Sequence, residues 1–320
     1  MAQIRTIRVN AILGIEIGGT KLQIVAGDAS GKIRVRQRFA VDRAAGGAGI
    51  RRQIEQTLPG LQRAHAVTAI GAGFGGPFDW KTGRVDRSHQ IEGWPPEFDL
   101  VGWLHRLAGV PVFADNDTNV GALGEAVCGG GAGASPFFYT NLGSGVGGGL
   151  IVTGRIYHGA TPGEAEIGHI RLDRHGTTVE SRCAGWAVDA RIRELKAQAP
   201  DSVLARLAAQ SPGSEARHLG PALAQADPIA RQILAETAED FAFALSHVVH
   251  LFHPETICIG GGLSLLGEPL RAAVERALRP MIMEAFQPGP TVRLAALGED
   301  AVPAGALLLA GGGRVPAPAK

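Results

Sequence analysis

One local pattern occurs twice in the chain and limits the folds open to it. Ala11-Ile12-Leu13-Gly14-Ile15-Glu16-Ile17 is a β-rich run that ends on Gly18-Gly19-Thr20-Lys21. Leu22, Ile24 and Ala26 then alternate with Lys21, Gln23 and Val25 until Gly27-Asp28 turns the chain. Period-2 alternation makes this a strand, a glycine tip and a second strand. A Walker loop or a dinucleotide fingerprint would run from its glycines into a helix instead. Phe137 to Leu142 starts the same theme again, followed by Gly143-Ser144-Gly145-Val146-Gly147-Gly148-Gly149, then Leu150-Ile151-Val152 and Gly154. Each tip exposes backbone N–H groups beside a hydroxyl, Thr20 or Ser144, and the first adds the Lys21 ammonium. Such a tip can hold phosphate oxygens, or it can be an ordinary hairpin turn. The repetition points to a duplicated fold with two facing phosphate grips.

Between the two hairpins lies the most concentrated polar chemistry. Val112-Phe113-Ala114 follows Pro111 as a short buried strand and breaks into Asp115-Asn116-Asp117-Thr118-Asn119, and a helical pattern runs on to Gly124-Glu125. Open α/β sheets place their chemistry at the C-terminal ends of strands. Of the three carboxylates in this stretch, Asp117 is singled out as a general base. Ala66 to Ala72 is another buried strand, opening into Gly73-Phe74-Gly75-Gly76-Pro77, whose backbone is free to line a pocket at the same sheet end. Ser88 to Trp94 reads as a second pocket wall or as a surface loop with one packed indole.

Ile50 to Leu61, Ala184 to Lys196 and Ala226 to Phe252 read as helices. The last carries Ile229, Ile233, Phe241, Leu245, Val248 and Phe252 at core spacing. His247, His250 and His253 fall three apart and read as surface or packed histidines, since no carboxylate or cysteine accompanies them as a metal ligand. Gly159 to His169 gathers Glu164, Glu166 and His169 in a glycine-punctuated loop, which suits the vicinal hydroxyls of a sugar or is a solvated acidic loop. Thr256 to Ile259 is a last buried strand, into Gly260-Gly261-Gly262, a flat backbone surface that a purine could lie against. Pro303 to Ala310 reads as a short helix with proline near its start.

Composition removes several function classes. The 31 Lys and Arg against 30 Asp and Glu leave a net charge of +1, which gives no field for nucleic acid or an anionic membrane. Glycine, 46 of 320 residues, is about twice its usual share and reads as close backbone approach to a ligand in loops. Three cysteines in unrelated contexts, Cys128, Cys183 and Cys258, fit a reducing, cytoplasmic setting. Met1 to Asn10 carries Arg5 and Arg8 without a long apolar run, so neither a signal peptide nor a membrane span is expected.

Together these motifs resemble the ROK family of sugar kinases and sugar-responsive regulators, within the actin-like, hexokinase-like superfamily. The resemblance covers nearly the whole chain. It implies an α/β, duplicated ribonuclease-H-like (actin-like ATPase) fold of two domains with an interdomain cleft, residues 1–117 with 304–320 and residues 118–303. By the resemblance, Gly18, Gly19, Thr20 and Lys21 form the first phosphate motif, Gly143, Ser144 and Gly145 the second, and Gly260, Gly261 and Gly262 the adenosine motif. Asp117 is the base; Gly75, Gly76, Asn116, Glu166, His169 and Glu180 bind the sugar; Glu16 serves magnesium, directly or through water. The implied reaction moves the γ-phosphoryl of ATP, with Mg²⁺, to a sugar hydroxyl. Glucose O6 is the first acceptor, with N-acylamino sugars (N-acetylmannosamine, N-acetylglucosamine) or fructose next. A non-catalytic sugar sensor is the rival of another class; about ten residues precede the first strand, too few for a helix-turn-helix module. A homodimer is the implied assembly.

The chain departs from the family pattern in five places. Arg174-His175-Gly176-Thr177-Thr178 stands where the family has a zinc-binding cysteine cluster, and Cys183 with His169 and His175 cannot complete four ligands, so no structural zinc is expected. Glu16 replaces the usual aspartate and Ser144 the usual threonine. Gly75 stands where proline is common and Gln90 where asparagine is, which bears on sugar identity.

Overall fold

The computed structural model describes residues 10–86, 92–131, 133–161, 163 and 165–312. Sequence readings at Arg5, Arg8, Ser88, Gln90 and Glu164 lie outside the described residues.

The chain opens with three strands, β1 (Asn10–Ile17), β2 (Lys21–Gly27) and β3 (Ile33–Ala40), then α1 (Gly46–Ala64) and β4 (Ala66–Phe74). Three two-residue strands follow, β5 (Phe78–Asp79), β6 (Arg84–Val85) and β7 (Phe98–Asp99), then α2 (Leu100–Ala108), β8 (Val112–Asn116) and α3 (Asp117–Cys128). The second hairpin is β9 (Phe137–Leu142) and β10 (Val146–Val152), with β11 (Arg155–Ile156) after it. Helices α4 (Val179–Cys183), α5 (Gly185–Gln198), α6 (Val203–Ala208), α7 (Leu219–Ala224) and α8 (Pro228–Phe252) lead to β12 (Thr256–Gly260). The chain ends through α9 (Glu268–Leu278), β13 (Thr291–Leu294) and α10 (Ala301–Ala310).

Two five-stranded sheets share one plan. The first has the order β3-β2-β1-β4-β8 and the second β11-β10-β9-β12-β13. In the first, β1–β2 and β2–β3 are antiparallel while β1–β4 and β4–β8 are parallel. In the second, β10–β11 are antiparallel while β9–β12 and β12–β13 are parallel. The expected duplication is therefore present strand for strand. By packing, one unit comprises Met1–Gly133, Ile151–Glu164 and Glu299–Lys320, and the other Ala134–Leu150 and Ala165–Gly298. Helix α3 groups with the first unit, whereas the sequence reading divided the chain after its first residue, Asp117.

In the first unit, Leu13, Ile15 and Ile17 of β1 point to one face with Leu22 and Ile24 of β2, against Ile50, Ile54 and Leu58 of α1 and Leu100 and Leu104 of α2. The opposite face holds Ile12, Val25 and Ala69 against Leu307 and Ala310 of α10. This second face is bare along its middle. A Cβ on Gly14 would stand 2.9 Å from Pro303 O, one on Gly71 1.8 Å from Ala306 O, and one on Gly73 2.6 Å from a Val302 methyl. Helix α3 approaches α10 as closely: a Cβ on Gly305 would lie 1.8 Å from Val120 O and one on Gly124 2.2 Å from Ala301 O. These five glycines thus serve helix-on-sheet and helix-on-helix packing, a use apart from the close approach to a ligand in loops that the composition suggested. Helix α10 begins two residues before Pro303 and is apolar all round because it is covered on both sides.

In the second unit, Phe137 and Phe138 of β9 and Ile257 and Ile259 of β12 are fully buried. Asp227 caps α8, its carboxylate accepting from Ala230 N at 2.9 Å, and Pro228 takes the first position where a missing N–H is harmless. Ile233, Phe241, Leu245 and Val248 are buried as the spacing predicts, but Ile229 is half-buried and Phe252, 38% exposed, is not a core residue.

Because α10 needs bare backbone beneath it, Gly305→Ala is expected to destabilise the protein by about 3 kcal/mol. Gly60, exposed inside α1 with only the tip of Arg63 within reach of a Cβ, is its control, and Gly60→Ala should stabilise by about 0.5–1 kcal/mol. Urea unfolding of both variants checks the pair; equal effects would contradict the close packing.

Candidate active site

Parallel register brings the ends of β1, β4 and β8 level. Ile17 pairs with Phe74, and Phe74 with Asn116. Everything just beyond those residues is therefore gathered at one sheet edge: the tip Gly18–Lys21, the Gly75–Gly76 turn and Asp117. The tip closes with Gly18 N donating to Lys21 O at 3.0 Å, and Gly75 N donates to Ile17 O at 2.8 Å. Thr20 is exposed.

Asn116 ends β8 and caps α3. Its Oδ1 accepts from Thr118 N (2.8 Å) and Asn119 N (3.2 Å), satisfying two of the donors that a helix start leaves open. Its Nδ2 donates one hydrogen to Gly76 O at 3.1 Å. Asp117 is the first residue of α3, half-buried, with Thr118 Oγ1 donating to its Oδ1 at 3.3 Å. Its Oδ2 lies over Gly75, where a Cβ would come within 3.2 Å of it. The third carboxylate of the stretch is structural: Glu125 is fully buried and accepts Gly130 N at 2.8 Å, holding the turn after α3.

Glu16 sits on the α10 face of β1, 7% exposed. Lys21 Nζ lies 3.2 Å from its Oε1, and Gln23 Nε2 donates to its Oε2 at 2.7 Å. Burial holds the Glu16 carboxyl above its ordinary range, against the Lys21 charge and the Gln23 bond, which pull it down. Both oxygens are engaged by protein donors. A magnesium bound directly to Glu16 would have to displace Lys21, so the residues as arranged do not fit a direct ligand. Lys21 itself is committed to Glu16 and Gly18 N to Lys21 O, which leaves the Gly19 and Thr20 N–H groups and the Thr20 hydroxyl as phosphate donors there.

The second unit gathers the other candidates around Val146, the first residue of β10. Gly143 N donates to Gly145 O at 3.0 Å, closing the tip, and Gly185 N donates to Gly143 O at 2.8 Å. Glu180, in α4, accepts Val146 N with Oε2 at 2.9 Å. A Cβ on Gly168 would lie 2.2 Å from Val146 O, so the Glu166–His169 turn is pressed against the same residue. Glu166 and His169 both present exposed side chains. Ala165 precedes them with φ at +55°, a conformation that L residues rarely adopt. The Gly260–Gly262 run touches the second hairpin through Gly261 (φ +81°), whose Cβ would lie 2.5 Å from the Leu142 carbonyl carbon. Gly260 is thus demanded by the Tyr139 ring and Gly261 by backbone packing, and of the three only Gly262 has open space around it. Ser144 is exposed at the tip.

Among the described residues, no three His, Cys, Asp or Glu side chains converge as metal ligands. Cys183 is buried, and burial pushes its thiol up to about 12. His247 Nδ1 lies 2.8 Å from Phe243 O, His250 Nε2 accepts Met283 N at 3.2 Å, and His253 stacks on Phe286 at 3.9 Å. No helix of the described residues is long and apolar enough to cross a membrane. The sequence reading passed over His158, whose Nε2 lies 2.6 Å from Asp115 Oδ2, and Trp80, which stacks on its ring. No local pattern marks either residue; only the fold brings them together.

The sequence profile of the ROK family matches residues 12–312. The chain is 28% identical over 300 residues to a glucokinase of Thermotoga maritima, covering 91% of this chain and 94% of that protein. It is 30% identical over 313 residues to a glucokinase of Streptomyces coelicolor, covering 93% and 96%. A crystal structure of a ROK family glucokinase from Streptomyces griseus, in complex with glucose and AMPPNP, is similar with a TM-score of 0.83 and 30% identity, covering 95% of this chain and all of that one. The fold is that of the ROK sugar kinases, with the actin-like ATPase architecture.

The raised Glu16 pKa has a signed consequence. The folded state holds a proton that the unfolded chain releases near the ordinary value of 4.5. Stability from this group is therefore full below that value and is lost as pH rises through the raised one. Glu16→Gln removes the dependence. Its melting temperature relative to wild type is expected to be more favourable at about pH 8 than at about pH 4. Thermal melts across that range check it; a difference that falls with pH would mean that the Lys21 pair outweighs burial.

Proposed function

The chain belongs to the ROK family, and on that premise we propose that it is a sugar kinase that transfers the γ-phosphoryl of ATP to a hexose hydroxyl, with glucose O6 as the first acceptor. The observation that carries this reading is Asp117, a carboxylate fixed at the head of α3 with one oxygen over Gly75 and the Asn116 amide beside it. Phosphoryl transfer goes through a loose transition state, so a protein contributes mainly position and charge. Asp117 takes the hydroxyl proton as the new P–O bond forms. Asn116 spends one Nδ2 hydrogen on Gly76 O and offers the other to a sugar oxygen. Glu180 gives Oε2 to Val146 N and keeps Oε1 for a sugar hydroxyl, with Glu166 and His169 on the neighbouring turn as further sugar partners. The N–H groups of Gly19, Thr20, Ser144 and Gly145, with the Thr20 and Ser144 hydroxyls, hold phosphate oxygens, and the open backbone at Gly262 receives the adenosine.

Magnesium, when bound with the nucleotide, supplies charge neutralisation to the phosphates. Glu16 would reach it through water, and no step is assigned to the metal. The resemblance extends the reading to a cytoplasmic homodimer, with N-acylamino sugars and fructose as the next acceptors to test.

A panel of hexoses with ATP and magnesium, read as initial rates of ADP release, decides the acceptor. Asp117→Asn is expected to lower kcat by about 10²–10⁴-fold. Sugar affinity by calorimetry should stay within about threefold, because the amide keeps the shape of the carboxylate and loses only its basicity. Retained turnover in this variant would remove Asp117 as the base. Binding without turnover by the wild type, across the whole panel, would make the chain a sensor.

A further inference from the structure

We propose that His158 is a positioning residue for Asn116 and Asp117, acting through the buried carboxylate of Asp115; this rests on the kinase reading for its rate effect. Asp115 is 3% exposed and accepts three hydrogen bonds. Oδ1 accepts Asn116 N at 2.8 Å and Asn119 Nδ2 at 3.0 Å. Oδ2 faces His158 Nε2 at 2.6 Å. Two of these partners bracket Asp117 in sequence. The third comes from 43 residues away, on the segment after β11, and ties the turn to a distant part of the chain.

A buried carboxylate accepts and does not donate, so Nε2 of His158 carries the hydrogen and the ring tautomer is set. The ring is itself held. Trp80 stacks on it with centroids 4.2 Å apart and planes 20° from parallel, and the His158 side chain is 18% exposed. Lys81 Nζ lies over the Trp80 ring, 5.5 Å from its centroid.

The consequence is geometric. Without His158, one oxygen of a buried carboxylate loses the imidazole N–H, and Asp115 must turn or draw in water to satisfy it. Either movement loosens the bonds from Oδ1 to Asn116 and Asn119, and with them the frame that aims the Asn116 amide and the Asp117 carboxylate. A small misplacement of a base is costly in rate, whereas a nucleotide held elsewhere on the chain is little affected. A role in stability alone predicts something different: a lower melting temperature with unchanged kinetics in the molecules that remain folded.

The test uses His158→Ala, His158→Gln, Asp115→Asn and the double variant His158→Ala/Asp115→Asn in the full chain. His158→Ala is expected to lower kcat about tenfold and weaken sugar binding about tenfold, with KM for ATP within about twofold. His158→Gln, whose Nε2 can reach the same oxygen, should recover most of both losses. The double variant should be no worse than His158→Ala by more than about twofold, since both changes cut one link. Unchanged kcat and sugar affinity in His158→Ala, or fully additive losses in the double variant, overturn the proposal. Where His158→Ala does not fold, ¹⁵N spectra of labelled histidine in the wild type decide. A slowly exchanging Nε2–H on His158, absent in Asp115→Asn, supports the role, and an Nδ1–H tautomer overturns it. A wild type that binds sugar but turns none over defeats the kinase reading alone, because sugar affinity and tautomer still report on His158.

Discussion

The close seating of α10 on bare backbone is the contact on which the first unit depends. A helix normally packs on a sheet through side chains, about 10 Å away. Here Gly14, Gly71 and Gly73 remove the side chains from one face, and Gly305 and Gly124 remove them between α10 and α3. The helix carbonyls then approach the strands to van der Waals distance. The arrangement tolerates almost no lateral slip, because a shift of one residue would set a Cβ against a carbonyl oxygen. It joins the last helix of the chain to β1, β4 and α3.

That rigidity reaches the candidate site. The ends of β1, β4 and β8 are level because register is fixed along the whole sheet, and α3 starts where β8 stops. Asn116 makes the change from strand to helix by capping it, so the residue after it inherits a defined position and direction. Asp117 needs no long-range contact of its own to be placed. Two bonds from outside the turn brace it: Asn116 Nδ2 to Gly76 O, and the Asp115–His158 bond, which falls on the residue just before the cap. A site built at such a junction is rigid in the backbone and tunable through one polar side chain.

The two glycine hairpins, the strands and the long helices were legible because each is a local signal: alternation, a glycine pair, apolar spacing; β8, read as buried, is instead partly exposed, with Phe113 45% exposed at the end of the sheet order. Strand β3 was not read, because Arg34, Arg36 and Arg38 leave it polar and exposed along most of its length, as suits an edge. Its reason to exist lies far away in sequence, where Arg38 pairs with Glu299 at 2.7 Å and Arg36 with Asp300, just before α10. Helix α9 was also passed over, although Leu270, Val274 and Leu278 follow helical spacing on its buried side. The two-residue strands β5–β7 are too short to give any periodicity. At the candidate site, residues could be proposed from the sequence. Their commitments could not: that Lys21 is taken by Glu16, that Glu180 already holds Val146 N, and that Gly260 and Gly261 are fixed by packing are all consequences of partners distant in the chain.

Duplication explains why the two tips look alike and why their surroundings differ. Both close with a glycine N–H to a carbonyl at 3.0 Å, a backbone feature that survives any change in side chains. Around the first, β1 and β2 bring Glu16, Lys21 and Gln23 together, an ion pair with an amide that is buried on the α10 face. Around the second, Asn141 accepts Gly147 N at 2.7 Å and Thr140 donates to Gly147 O at 2.8 Å, neutral bonds that brace the hairpin from within. The second tip therefore owes its shape to uncharged partners and Glu180. The first owes it to a buried charge pair, and glutamate suits that place. Its longer arm reaches both Lys21 and Gln23 at once, and Gln23 in turn donates to Glu299 O at 3.2 Å, at the residue where the chain re-enters the first unit. The substitution of glutamate for the family's usual aspartate is thus tied to the same junction that seats α10, and its first effect falls on the fold beneath the phosphate tip.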